Sequence, residues 1–111
     1  MAEFRIAVLP GDGIGTEVIA PSLEVLEAAC AAVGGISLST EELAAGAGVY
    51  RERGVAMTDE AVQAAEAADA ILLGAMGLPE VRYPDGREIA PQVDLRELWQ
   101  LFAGVRPVRA I

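Results

Sequence analysis

The sequence contains no histidine and no lysine, and these absences restrict its chemistry more than any residue that is present. Without them, the 111 residues supply no imidazole base, no histidine metal ligand, no Ser–His pair and no Schiff-base lysine. All eight positive side chains are arginines. Because arginine stays protonated and binds planar anions through a rigid fork of donors, we expect these residues to hold a substrate rather than to transform it.

Cysteine, aromatic residues and long apolar runs are also scarce. The single cysteine, Cys30, cannot form an internal disulfide. Aromatic residues make up 5% of a chain that is 53% hydrophobic, so the core must consist of Ala, Val, Leu and Ile. A net charge of −9 argues against nucleic acid or an anionic membrane as a partner. No run has the length of a membrane span, and the N-terminus lacks the pattern of a signal peptide, so we expect a soluble, cytoplasmic protein.

The stretch 5–18 organises the rest of the chain. Four apolar residues at 6–9 predict a strand buried on both faces, which Pro10 ends. Three glycines at alternate positions then allow a sharp turn before a helical pattern begins. A phosphate-binding P-loop is excluded because it needs a lysine after its last glycine. A Rossmann fingerprint fits poorly, since the third glycine comes one residue early and Asp12 would repel a pyrophosphate.

Further elements alternate between strands and helices. The spacing predicts a helix over 17–33, a strand over 36–40, a short helix within 44–54 and a helix from Thr58 or Asp59 to Ala68. A second fully apolar strand follows at 70–73. This alternation predicts one α/β domain with a parallel sheet flanked by helices. The residues predicted to face the sheet from the first helix are Val18, Ser22, Val25, Ala29 and Val33, flanked by Leu26 and Cys30.

Residues 74–93 have no clear period and form a long loop at the carboxyl end of an inner strand, where parallel sheets usually bind ligands. Tyr83 is the phenol of this loop, and we expect it to pack there rather than to act as a general acid. A final helix is predicted from Asp94, with Arg96 in its first turn, where a cation opposes the helix dipole unless an anion binds there. A final strand is predicted over 104–108. The inner stripe predicted for this helix consists of Leu95, Leu98, Leu101 and Phe102.

Three motifs, taken in order along the chain, resemble the isocitrate and 3-isopropylmalate dehydrogenase family. The first is AVLPGDGIG at 7–15, with Glu17 and Val18 after it. The second is AILLGAMG at 70–77, followed by Pro79. The third comprises Leu95-Arg96 and then LFAGVRPV at 101–108. The resemblance extends over the whole chain and implies the N-terminal segment of that family's α/β fold, which is not a Rossmann fold.

The resemblance implies NAD(P)-dependent oxidative decarboxylation of a malate-type 2-hydroxy acid. In that family a divalent metal, Mg²⁺ or Mn²⁺, polarises the hydroxyl oxygen while the nicotinamide accepts the hydride. Arg96 and Arg106 are implied to bind the substrate carboxylates. The residues implied to lie near the cofactor are Ile14, Gly74, Gly77 and Leu78. Family enzymes are considerably longer, and their catalytic residues and metal ligands match no position in these 111 residues. The resemblance also implies that the intact enzyme is a homodimer.

These implications lead to an expected function and two alternatives. As part of an intact enzyme, we expect 3-isopropylmalate, tartrate or malate as substrate rather than isocitrate. Just ahead of the first arginine, Gln92 is polar but uncharged, and Asp94 would repel a third carboxylate unless it caps the helix. The 111 residues alone are expected to be inactive. One alternative is a non-catalytic module that binds a dicarboxylate or dimerises. The other is a Rossmann-type NAD-binding domain, with Glu41 or Glu42 binding the ribose.

Overall fold

The computed structural model describes residues 1–111 and contains one three-stranded parallel sheet. The strands are β1 (Ala2–Leu9), β2 (Ile36–Glu42) and β3 (Ala70–Leu73), and their order in the sheet is β2-β1-β3. The predicted α/β class with a partial parallel sheet is therefore confirmed. β3 has the predicted bounds, whereas β1 and β2 are longer than their apolar cores because polar residues at their ends continue the ladder.

The register of the sheet places the ends of β1 and β3 side by side. On one edge of β1 the pairs run from Ala2 with Ile36 to Val8 with Glu42. On its other edge they run from Ile6 with Ala70 to Leu9 with Leu73. Since parallel strands end at the same edge of a sheet, the loops that follow Leu9 and Leu73 leave the sheet as direct neighbours.

Four helices flank the sheet, and glycine or threonine marks several of their ends. They are α1 (Ile14–Val33), α2 (Ala47–Arg53), α3 (Asp59–Glu66) and α4 (Pro91–Leu98). α1 is followed by Gly34 and α2 by Gly54, whose N–H bonds to the Tyr50 carbonyl. Thr58 caps α3 by accepting a hydrogen bond from Ala61 N–H. The short helix ending at Gly54 and the Thr58 cap are thus confirmed. None of these helices combines the length and the apolar character needed to cross a membrane.

The predicted inner face of α1 is wrong. Val18, Val25 and Val33 are 48%, 70% and 75% exposed, whereas Gly15 and Ile19 are buried. Of the predicted residues, Ser22 and the flanking Leu26 and Cys30 are half-buried, and Leu23, which was not predicted, is half-buried with them. Beyond the first turn, only Ser22, Glu24 and Glu27 are polar, so apolar residues lie on more than one face and their spacing does not identify the face that packs.

The predicted end of the chain is also corrected. α4 begins at Pro91, which suits a first helical position, and not at Asp94. Leu95 is buried, but Leu98 is 61% and Phe102 100% exposed, so the predicted inner stripe fails beyond Leu95. Residues 101–111 form no regular secondary structure and are all exposed. The expected strand over 104–108 is absent because this segment lies beside no other strand.

Small side chains form most of the core, as the composition predicts. The main cluster joins Ala7 and Leu9 of β1 to Ala61 and Ala65 of α3, with Leu95 of α4. Alanines on both surfaces allow α3 to approach the sheet closely. A second, smaller cluster contains Ala47, Ala56 and Ile89, and it anchors α2 to the loop that follows β3.

The Thr58 cap gives a direct test of α3. We expect Thr58→Ala to lower the free energy of unfolding by about 1 kcal/mol, because Ala61 N–H loses its acceptor. Urea denaturation monitored by circular dichroism measures the effect. Thr58→Ser keeps a hydroxyl acceptor and is the matched control; an equal loss in both variants would contradict a capping role.

Candidate functional site

Two loops meet at the carboxyl edge of the sheet, and we call them the β1 loop (residues 10–13) and the β3 loop (residues 74–78). Gly74 N–H donates to the Leu9 carbonyl at 2.7 Å. Asp12 N–H donates to the Ala75 carbonyl at 2.8 Å. A side chain at Gly74 would overlap the Pro10 carbonyl, so this glycine permits the close approach of the two loops.

The Asp12 carboxylate joins three segments at this edge. The side chain is almost completely buried and accepts three backbone N–H groups. Oδ2 accepts from Ala47 at 2.7 Å and from Gly77 at 2.8 Å, and Oδ1 accepts from Gly48 at 2.9 Å. Ala47 and Gly48 open α2, whose first N–H groups have no partner within the helix. Asp12 therefore connects the β1 loop, the β3 loop and the N-terminus of α2.

The charge on Asp12 is stabilised in the fold. Burial by itself raises the pKa of the carboxyl, but the donors from Gly48, Gly77 and Ala47, together with the Arg51 guanidinium, outweigh burial. The pKa of Asp12 is consequently lowered from its usual 3.8. Gly46, with φ of 125°, completes the arrangement, because a side chain there would overlap the Asp12 carboxylate.

Sequence reasoning missed this role of Asp12. It treated the residue only as an unfavourable neighbour for a pyrophosphate, whereas the structure uses its charge to bind backbone N–H groups. The partners lie 35, 36 and 65 residues away along the chain. One signal was available at the start of α2, where the N-cap residue is Gly46 and no Ser, Thr, Asp or Asn caps the helix. A helix without a local cap needs an acceptor from elsewhere in the chain.

The residues predicted to bind the cofactor lie around these two loops. Ile14 follows the β1 loop at the start of α1 and is 63% exposed. Gly74, Gly77 and Leu78 belong to the β3 loop, and the bond from Gly77 to Asp12 brings the loop to within two residues of Ile14. The structure thus places the two segments together. It also gives Gly74 a packing function and commits the Gly77 N–H to Asp12, while any contact with a cofactor stays a prediction.

The two predicted substrate-binding arginines lie outside this cluster. Arg96 lies in the last turn of α4 and not in its first, so its charge supports the helix dipole and needs no anion to offset it. Arg106 lies in the exposed segment 101–111. Neither side chain forms a hydrogen bond or an ion pair, and both guanidinium groups are free to bind a ligand.

The long loop before α4 is well organised. Bridges join Leu78 with Val81 and Arg82 with Glu88, and an ion pair of 3.2 Å strengthens the second. Tyr83 packs edge-on against Tyr50, with ring centroids 4.9 Å apart, and the Arg87 guanidinium lies 5.1 Å from the Tyr83 ring centroid. Burial, with the nearby Asp94 carboxylate, raises the pKa of Tyr83. Packing is therefore the role of this phenol, as predicted.

No group of three or more His, Cys, Asp or Glu side chains is placed to hold a metal ion. What residues 1–111 do form is an edge of two loops joined by hydrogen bonds, with the apolar side chains of Ile14 and Leu78 at its rim.

The role of Asp12 predicts a specific loss of stability in acid. A carboxyl with a lowered pKa stabilises the fold fully above its unfolded-state pKa, and this contribution is lost as the pH falls below about 4 through the folded-state value. At pH 7 we expect Asp12→Asn to lower the free energy of unfolding by about 2–3 kcal/mol, because an amide offers one acceptor oxygen to three donors.

Denaturation at pH 7 and pH 3 measures this, with Asp59→Asn as the control at an exposed acid. The difference between wild type and Asp12→Asn is expected to shrink at pH 3. A difference that is independent of pH would contradict an ionised Asp12.

Comparison with known proteins gives a consistent result. The family model described as isocitrate/isopropylmalate dehydrogenase matches residues 5–111. A protein of Agrobacterium vitis named "probable tartrate dehydrogenase/decarboxylase" is 37% identical over all of this chain and 31% of its own length. The 3-isopropylmalate dehydrogenase of Anaeromyxobacter dehalogenans is 45% identical over 95% of this chain and 30% of its own length.

A solved structure shares the fold as well as the sequence. The apo form of a β-decarboxylating dehydrogenase from Thermococcus kodakarensis superposes with a TM-score of 0.72 at 34% identity, covering 89% of this chain and 27% of that one. This chain spans about a third of the length of the curated relatives that it matches. The sequence motifs, the parallel sheet and these matches agree, and the chain belongs to the isocitrate/isopropylmalate dehydrogenase family.

Proposed function

We propose that residues 1–111 supply the cofactor edge and the substrate arginines of an NAD(P)-dependent dehydrogenase that oxidatively decarboxylates a malate-type 2-hydroxy acid. The observation that carries this proposal is the joining of the β1 and β3 loops through Asp12. Ligands of parallel α/β sheets bind outside the carboxyl ends of the strands, which is where these loops lie. Family membership favours this function over the Rossmann alternative.

The rim of the two loops is suited to the flat face of a nicotinamide. Ile14 and Leu78 offer apolar surface, and Gly77 has no side chain to obstruct an approaching ring. When bound, NAD(P)⁺ supplies the acceptor for the hydride that leaves the hydroxyl-bearing carbon. These residues would position the ring and exclude water from its face; they donate or accept no proton in the reaction.

Arg96 and Arg106 are proposed to hold the substrate carboxylates. A planar guanidinium binds a carboxylate through two parallel hydrogen bonds, which fixes the orientation of the acid as well as its position. Holding the substrate in this way aligns its hydroxyl-bearing carbon with the nicotinamide, and alignment alone lowers the barrier to hydride transfer. The proposal gives these residues no part in binding a metal.

The substrate class proposed is tartrate, malate or 3-isopropylmalate rather than isocitrate. Relatives that carry tartrate and 3-isopropylmalate dehydrogenase in their names support it. The charge pattern of α4 agrees, because Asp94 in its first turn is exposed and would repel a third carboxylate. Kinetics with the four acids test this choice, and a clear preference for isocitrate would overturn it.

The arginine assignment is testable in an active enzyme that contains these residues. We expect Arg96→Lys and Arg106→Lys each to lower kcat/KM by about tenfold or more, because lysine keeps the charge and loses the two-pronged contact. Steady-state kinetics with each dicarboxylate measure the effect. Arg53→Lys is the matched control, since Arg53 is equally exposed at the end of α2. Unchanged kcat/KM in both variants would exclude the two arginines from the substrate site.

A second test concerns the 111 residues alone. We expect no reduction of NAD⁺ or NADP⁺ with any of these acids, because the sequence supplies neither a lysine nor a histidine to move the proton. Absorbance of the reduced nicotinamide monitors the reaction. Turnover by the purified 111-residue chain would contradict the proposal that these residues bind cofactor and substrate but transfer no proton.

A further inference from the structure

The end of the β3 loop, at Gly77 and Leu78, is supported by α2. The middle of the loop is held in another way, since the Met76 side chain packs against the main core cluster. Gly77 N–H donates to the Asp12 carboxylate at 2.8 Å, and the same oxygen accepts the Ala47 N–H that opens α2 at 2.7 Å. One carboxylate oxygen therefore joins the backbone of the loop end to the first residue of α2.

A second connection to α2 comes through the side chain of Leu78. It packs against the smaller core cluster, and so does the Tyr50 side chain of α2. The members of that cluster are Ala47, Ala56 and Ile89. Tyr50 follows Ala47 by three residues, so the two side chains lie on the same face of the helix. α2 thus holds the loop end both by its backbone and by a side chain.

α2 is itself held at both ends, so it can act as a support. Gly46 N–H, just before the helix, donates to the Ala56 carbonyl at 2.8 Å, and Ala47 is completely buried. Further along the helix, the Tyr50 ring meets the Tyr83 ring edge-on. All these contacts lie within residues 12–89, and none involves the exposed segment 101–111.

We propose that α2 is a positioning element for the cofactor, in which Asp12 and Tyr50 hold the loop end that presents Gly77 and Leu78 to the nicotinamide. This inference rests on the proposed function and adds two residues to it. Both act through the β3 loop and touch no reacting atom, so they are positioning residues. Their loss weakens contacts that the nicotinamide makes equally before and during hydride transfer, and it is therefore expected to lower affinity rather than kcat.

Hydrogen–deuterium exchange tests the support without any cofactor, in an active enzyme that contains these residues. We expect Asp12→Ala to raise the exchange rate of the Gly77 amide by about tenfold or more, because this N–H loses its acceptor. Tyr50→Leu is expected to raise exchange over residues 77–78 by about threefold, since it removes the ring from the cluster and leaves the Asp12 bonds in place. Tyr50→Phe keeps the ring and is the matched control, with exchange as in the wild type.

Isothermal titration calorimetry with NAD⁺ and NADP⁺ measures the consequence for binding in the same enzyme. We expect the Kd of the cofactor that the wild type binds to rise about fivefold or more in Asp12→Ala and about twofold to threefold in Tyr50→Leu. Steady-state kinetics at saturating cofactor are expected to give a kcat within about twofold of the wild type for Tyr50→Leu. If Asp12→Ala does not fold, Tyr50→Leu and Tyr50→Phe decide the result, because Tyr50 is only half-buried.

A variant of α3 separates positioning from general stability. Thr58→Ala with Gln63→Gly removes the helix cap and adds a flexible residue at an exposed position. α3 packs against the main core cluster and not against the smaller cluster that holds Leu78. Urea denaturation is expected to show this variant destabilised at least as much as Tyr50→Leu. Its exchange over residues 77–78 and its Kd for the cofactor are nevertheless expected to match the wild type.

Three results would overturn this inference alone. The first is wild-type exchange over residues 77–78 in Tyr50→Leu. The second is a cofactor Kd that stays at the wild-type value although exchange over 77–78 has risen. The third is a rise in Kd for the α3 variant as large as that for Tyr50→Leu, since the effect would then follow from stability. A wild-type enzyme that binds neither NAD⁺ nor NADP⁺ would instead overturn the proposed function, and this inference with it.

Discussion

One buried carboxylate holds together the functional edge of this fold. Asp12 accepts hydrogen bonds from Ala47, Gly48 and Gly77, and these donors belong to two different segments of the chain. The Ala47 donor is buried and the other two are half-buried, and a buried backbone group without a partner costs more than a typical hydrogen bond contributes. A neutral side chain could not accept three N–H groups equally well. The negative charge is therefore a structural requirement here.

The position of this charge just after β1 fixes the starts of α1 and α2 and the β3 loop relative to one another. α1 begins two residues later, α2 begins at the donors, and the β3 loop is fixed at Gly77. The apolar residues proposed to face a nicotinamide are attached to loops that these hydrogen bonds hold in place. By contrast, Arg96 and Arg106 are exposed and unpaired, so they are available to a substrate without first breaking an internal contact.

The sequence allowed the sheet to be predicted well because local signals were strong. β3 is a short apolar run that is followed by Gly74, and α2 is followed by Gly54. In both cases the glycine that ends the element is visible in the sequence. The packed face of α1 was predicted wrongly because Val18 and Ile19 are equally apolar and only tertiary contacts distinguish them. The start of α4 was predicted too late in the chain because Asp94 resembles a helix cap, whereas the helix begins at Pro91.

The role of Asp12 could not be predicted, because its partners are distant in sequence and are backbone groups that any residue carries. The family resemblance, based on motifs, singled out two loops that the structure brings together, and their contact with a cofactor stays a prediction.

The sequence separation of the Asp12 contacts has a consequence for how the chain folds. Its three bonds close loops of 35, 36 and 65 residues, and the last of these requires β1 and β3 to be already paired. Closing such loops costs entropy before any contact compensates for it. α3 has a local cap and can form early, and we expect the joined β1 and β3 loops to assemble after it. These loops carry two of the motifs by which the family resemblance is seen, so we expect the motifs to reach their native conformation later than the locally stabilised helix.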